Sequence, residues 1–228
     1  MLKSLVKIMA ATVVFAGVHS LLASRTAKNT ALALFGERLR NGLYRPLYNV
    51  LAVVTFGALI FYARRLPDRE LYRIGGASAG LMQAIRAAAC LCMLDGARQI
   101  GLPAFSGASN LAALLGGRPL DRPEPEGQGP VPDSHGGMKV TGPFCVSRHP
   151  LSFGMLPVFW LAPRMTVNLA AFNLVATVYL FLGSLHEERR LLAAYRQAYL
   201  DYQKSGVAFF VQRCRPGQRN RNSWSGRP

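Results

Sequence analysis

Near the middle of the chain, Ser147-Arg148-His149-Pro150-Leu151-Ser152-Phe153-Gly154 places a fixed cation and an imidazole directly before a proline and an apolar stretch. Proline favours the first turn of a helix, so Arg148 and His149 are expected at a helix N-terminus, where free N–H groups and the helix dipole favour an anion such as a carboxylate. Gly154, one turn further on, leaves room for another group to approach the backbone. Glu187 and Glu188 close a second apolar stretch, and a carboxylate pair at that place attracts an ammonium or sulfonium. An anion site beside a cation site complements an amino-acid zwitterion attached to a sulfonium. S-adenosylmethionine is such a molecule, although any amino-acid-like ligand would match the same charges. His149 is also a candidate base for a thiol.

The elements that must position these residues are long and apolar. Residues 5–24 carry only Lys7, residues 77–94 only Arg86, and residues 47–63 and 167–185 no charge at all. Runs of roughly twenty apolar residues match a bilayer core at about 1.5 Å per helical residue. The expected fold class is therefore all-α: a polytopic integral membrane helical bundle of about five membrane segments. The first run, with Lys3 and Lys7 ahead of it, also fits a cleaved signal peptide, but the later spans account for membrane insertion without one. Residues 151–165 contain Pro157 and Pro163 and are short for a crossing, so this segment either spans with a kink or dips in and returns. With a tight turn at residues 165–168 it forms a C-terminal helical hairpin with the 167–185 helix, bringing Arg148-His149 and Glu187-Glu188 to one end and making that hairpin the carrier of the cofactor site.

The chain has 27 Lys plus Arg against 11 Asp plus Glu and is 50% hydrophobic. That pairing excludes a disordered basic tail protein, and four Cys do not make a disulfide scaffold. Nucleic acid is not an expected partner, because the basic residues flank the apolar runs and build no soluble patch with stacking aromatics. Arg189, Arg190, Arg196, Lys204 and the Arg-rich tail follow the last span, which places the C-terminus in the cytoplasm by the positive-inside rule and the protein in a bacterial inner membrane. Residues 25–45 then form a cytoplasmic loop and 64–73 an external one. Four regions result: N-terminal membrane helices over 1–115, a Pro/Gly-rich cytoplasmic loop over 116–141, the hairpin and a cytoplasmic helix over 142–212, and a disordered basic tail over 213–228. The loop reads equally as a lid or as a linker. No metal site is expected, since neither Cys90 and Cys92 nor His186-Glu187-Glu188 has ligand spacing.

Gly142-Pro143-Phe144, Ser147-Arg148-His149-Pro150 with Gly154, and then Glu187-Glu188-Arg189-Arg190-Leu191 with Tyr195, Tyr199 and Tyr202 resemble the membrane methyltransferase superfamily of isoprenylcysteine carboxyl methyltransferase and the phospholipid N-methyltransferases. The resemblance covers about residues 140–205. It implies that Arg148, His149, Pro150, Leu151, Ser152, Gly154, Glu187, Glu188 and Tyr199 cradle S-adenosylmethionine at the membrane face, with Arg148 and His149 at the catalytic centre. Ser152 stands where that family usually has Tyr, and Arg196 where a Gly often follows the aromatic residue. His19-Ser20-Leu21-Leu22-Ala23-Ser24, Gly36-Glu37-Arg38 and Tyr44-Arg45-Pro46-Leu47-Tyr48-Asn49 are similar to NnrU-like proteins and to methanethiol S-methyltransferases.

These resemblances imply a methyltransferase acting on a small or lipophilic acceptor, a thiol or carboxylate, that arrives through the lipid bilayer. The alternative is an NnrU-type haem protein without methyl transfer, with His19, His149 or His186 as axial ligands. His19 is also read as a helix-interface histidine or an acceptor contact. Arg86 is expected to face the bundle and meet a carbonyl or carboxylate, with a substrate contact as the other reading.

Overall fold

The computed structural model describes residues 2–120, 128–134 and 136–210. Pro123, Glu124, Pro125 and Glu126 of the loop, and the tail expected to be disordered over 213–228, lie outside these residues. The described chain is helical apart from one small β-ribbon. In order it comprises α1 (Leu2–Ala23), α2 (Arg25–Arg64), β1 (Glu70–Arg73), α3 (Gly76–Ile100), α4 (Leu102–Ser106), α5 (Ala108–Leu115), a 3-10 turn (Gly142–Cys145), α6 (Pro150–Trp160), β2 (Arg164–Thr166), α7 (Val167–Tyr195) and α8 (Gln197–Lys204).

Among the described residues, α1, α2, α3 and α7 are long and apolar enough to cross a bilayer. Val13, Val53, Leu81 and Leu182 are exposed, as helices that lipid solvates require. The helices lie in the spatial order α3, α6, α7, α1, α2, with α5 against α2. On α1 the buried residues Ser4, Ile8, Thr12 and Ala16 recur every fourth position, a stripe of small and polar residues that lets helices approach closely.

The fifth segment is a half-helix. α6 has 11 residues, roughly 16 Å at 1.5 Å per residue, and the chain then turns at Leu161 and bends at Pro163 into β2. A helix that stops at membrane depth leaves carbonyls that only protein can satisfy. Here Arg86 Nε donates to the Val158 carbonyl at 3.1 Å and Asn173 Nδ2 to the Phe159 carbonyl at 2.8 Å. β2 pairs antiparallel with β1, Tyr72 opposite Met165 and Arg73 opposite Arg164, so the hairpin turn and the α2–α3 connection share the end of the bundle remote from Arg148. Glu70 bridges Arg73 and Arg164, both at 2.7 Å.

Residues 25–45 are helical and not a loop. Ser24 caps α2 by accepting from Ala27 N–H, and α2 continues through Pro46 to Arg64, its one non-helical residue being Gly36 at φ 75°. Arg25, Glu37 and Arg38 are exposed, Arg45 Nε donates to the Phe105 carbonyl at 2.9 Å, and Gly42 packs against Leu114 of α5, so a charged stretch stays helical. Residues 64–73 likewise contain β1, and the described end of the Pro/Gly-rich region packs on α7, with Gly129 against Leu191.

Candidate functional site

α6 and α7 are antiparallel neighbours, so the chain just before α6 meets the exit of α7. Arg148 Nε donates to Glu188 Oε1 at 2.7 Å, and its Nη1 to the Val207 carbonyl at 2.7 Å. The His149 ring lies between both carboxylates, Nδ1 3.3 Å from Glu187 Oε2 and Nε2 3.3 Å from Glu188 Oε1. Gln203 Nε2 donates to Glu188 Oε2 at 3.0 Å, and the Gln128 N–H donates to Glu187 Oε1. The two charged clusters thus face each other across the hairpin and are paired directly, cation to carboxylate.

His149 is 3% exposed. Burial disfavours its charged form, but hydrogen bonds and attraction from Glu187 and Glu188 outweigh it and hold the imidazole pKa above its ordinary value. A strap of residues 207–210 covers the ring. The Arg148 N–H donates to the Ala208 carbonyl at 2.9 Å, Ser147 Oγ to the Phe209 carbonyl at 3.1 Å, and the Phe209 ring lies 4.7 Å from that of His149.

Beneath this cluster is a core of Met138, Leu191, Tyr199 and Tyr202. Tyr202 donates to the Phe144 carbonyl at 2.7 Å, whereas the buried Tyr199 hydroxyl has no partner among the described residues. Burial, and then the nearby Glu188 and Glu187 charges, raise the Tyr199 phenol pKa and keep it neutral. α7 and α8 are separated at Arg196, which adopts φ 45° and ψ −116°. That left-handed backbone favours glycine and gives the sequence position its family preference a physical cause.

Not every residue expected at the site is gathered there. A Cβ at Gly154 would run into the Met93 side chain and come within 3.3 Å of the Ala89 carbonyl oxygen, so the glycine lets α3 approach the α6 backbone closely. Leu151 and Pro150 lie near Gly96 of α3 on the same interface. Arg86 caps α6 at its far end, where it meets a carbonyl as one of its two readings required.

Ser152 and Glu187 line a cavity of about 570 Å³ that α1, α2 and α7 enclose with residues the sequence did not single out together. His19, Ser20, Tyr48, Tyr179, Ser184, His186 and Arg190 also line it. The Tyr48 hydroxyl and His19 Nε2 are 2.5 Å apart, and Ser20 Oγ donates to the Tyr179 hydroxyl at 3.2 Å. Arg190 Nη1 donates to the Ala23 carbonyl at 3.2 Å, capping α1. Ser184 Oγ and Arg190 Nε are buried without a partner among the described residues.

Three comparisons place the chain among known proteins. It is 36% identical over 76 residues to a methanethiol S-methyltransferase of Pseudomonas deceptionensis, 33% of this chain and 29% of the relative. It is 36% identical over 83 residues to methanethiol S-methyltransferase 2 of Bradyrhizobium diazoefficiens, 36% of this chain and 32% of that one. A methanethiol S-methyltransferase of Mycobacterium tuberculosis is 40% identical over 57 residues, 25% and 23% of the two chains. The chain therefore spans about a third or less of the length of these relatives. No solved structure matches. The family model described as NnrU protein matches residues 7–181, well over half of the 228 residues, and the chain belongs to the NnrU family.

Proposed function

We propose that this protein is an S-adenosylmethionine-dependent membrane methyltransferase acting on a small or lipophilic acceptor, a thiol or a carboxylate. The observation that carries the reading is the cavity that joins Glu187 and Ser152 of the hairpin to the His19 end of the bundle. Its volume of about 570 Å³ falls within the range of small-molecule sites. The methyltransferase names of the relatives agree with it.

The residues present fit the donor in kind. Glu187 and Glu188 suit an ammonium or ribose hydroxyls, and Arg148 and His149 a carboxylate. The unpartnered Ser184 Oγ supplies a buried polar atom on the cavity for a ligand to meet, and the Tyr199 hydroxyl stands in the core near both carboxylates. S-adenosylmethionine supplies a methyl group on a sulfonium. The protein's part is to position the reactants and exclude water, with Ser152 shaping the wall and Pro150 and Leu151 holding α6 in place. The C-terminus lies in the cytoplasm of a bacterial inner membrane, in keeping with the basic residues beyond α7.

The haem alternative finds less support, since both His149 ring nitrogens face carboxylates and His19 Nε2 faces Tyr48. Purified protein should retain labelled S-adenosylmethionine and pass the labelled methyl to at least one member of a panel of small thiols, isoprenylated thiols and lipids. Glu187→Gln with Glu188→Gln should abolish both. Failure to label any acceptor, an unaffected double variant, or a haem absorption band lost on replacing His19 would refute the proposal.

A further inference from the structure

The far end of the cavity has a chemistry of its own. Ala16 and Leu180 give it apolar surface, the lipid-exposed Val13 and Leu182 border its mouth on α1 and α7, and the Tyr48–His19 pair lines it from α2 and α1. His19 is sandwiched among aromatic rings, 4.9 Å from Tyr48, 5.7 Å from Phe15 and 6.3 Å from Tyr179, and these fix its plane. Arg190 brings a cation to the same cavity with its Nε unpartnered among the described residues. Gly17 of α1 and Gly183 of α7 also line the space, and a Cβ on either would meet nothing within 4 Å. The glycines keep this end wide, and it contains no carboxylate pair to repel an anion.

We infer that the His19 end of the cavity is the acceptor subsite and that Tyr48 and His19 relay the proton of a thiol acceptor. The assignment rests on the methyltransferase reading and adds to it the acceptor subsite and the proton path. The apolar surface takes the alkyl chain. The thiol S–H faces the Tyr48 oxygen, while the Tyr48 hydroxyl donates to His19 Nε2 in the tautomer that carries its proton on Nδ1. On ionisation the thiol proton passes to Tyr48 and the Tyr48 proton to His19, leaving a thiolate, an intact phenol and an imidazolium. Arg190 favours the thiolate by its charge. The thiolate sulfur then bonds to the methyl carbon, the donor keeps the electron pair of the broken C–S bond as a neutral thioether, and His19 releases the proton to solvent. Tyr48 is the catalytic residue, because it touches the acceptor; His19 acts through it.

The test uses the full chain in detergent with labelled S-adenosylmethionine and two probe thiols, 1-butanethiol and the more acidic thiophenol. Tyr48→Phe and His19→Gln should each lower butanethiol methylation by about 10²- to 10⁴-fold, the usual worth of general base catalysis, while donor retention stays at the wild-type level. The deficit should shrink with thiophenol and with rising pH, because an acceptor already ionised needs no relay. Gly183→Leu, which fills open space, should slow both thiols and leave donor retention intact. Equal losses with both thiols, no loss, or a pH-independent deficit overturn the relay. Wild-type protein that retains the donor yet methylates neither thiol overturns the subsite and leaves the donor site standing. Protein that retains no donor overturns the methyltransferase reading, and this assignment with it.

Discussion

The charged cluster of the hairpin and the cavity it borders at Glu187 treat polar groups in opposite ways. At the hairpin end, Arg148 and His149 are paired with Glu187 and Glu188, with further partners from the strap, from α8 and from the loop. At the His19 end the polar atoms are hydroxyls and an imidazole set among rings, and open space remains around them. Charges taken out of water must find counter-charges at once, whereas neutral hydroxyls can face a cavity at modest cost. A ligand at the hairpin end therefore has to exchange with existing ion pairs. One at the other end only has to enter.

Removing one charge tests that contrast most severely. Glu188→Gln takes the carboxylate from the half-buried Arg148 and the buried His149 and should destabilise the fold by about 2–3 kcal/mol, against under about 1.5 kcal/mol for Tyr48→Phe; thermal unfolding in detergent measures both. Comparable losses would erase the distinction between the two ends. Gly154→Val comes next. Forcing a side chain into the α3–α6 contact should cost about 1–3 kcal/mol, while the affinity of the folded fraction for labelled donor stays unchanged. A selective loss of donor affinity would show that Gly154 borders the donor as well as α3.

The smallest effect is in pH. The raised His149 pKa means that the folded protein holds this proton more tightly than the unfolded chain does. The resulting stabilisation is complete below about 6.5, the ordinary histidine value, and is lost as pH rises through the higher folded value. Melting temperature should therefore fall across that window, and the slope should flatten in His149→Gln. An identical slope in the variant would show that the ion cluster does not hold the proton.

Much of the bundle was legible because hydropathy is read residue by residue: α1, α3 and α7 coincide with the long apolar runs. The meeting of Arg148-His149 with Glu187-Glu188 was legible too, since a single tight turn dictates it. The helical course of residues 25–45 was hidden, as charges mark a break in an apolar run without saying whether the helix continues, and the packing of α2 on α5 lies outside the local pattern. Gly154 shows a similar limit, because a glycine announces room without saying which neighbour fills it. Tyr48 sits 29 positions from His19, and only the packing of α1 against α2 makes them partners. The available signal was that both stand in the N-terminal stretches that resemble the NnrU-like proteins.

The ribbon of β1 and β2 carries a consequence for assembly. It joins Arg73 to Arg164, residues made far apart in time as the chain is synthesised, and such non-local pairings form late because loop closure must come first. α2 and α3 enter the bilayer before β2 exists, so their connection stays unclasped until the hairpin arrives. Insertion of α6 and α7 thus completes the charged cluster at one membrane face and fastens the opposite face in the same event, making the last helices to emerge the ones that lock the first.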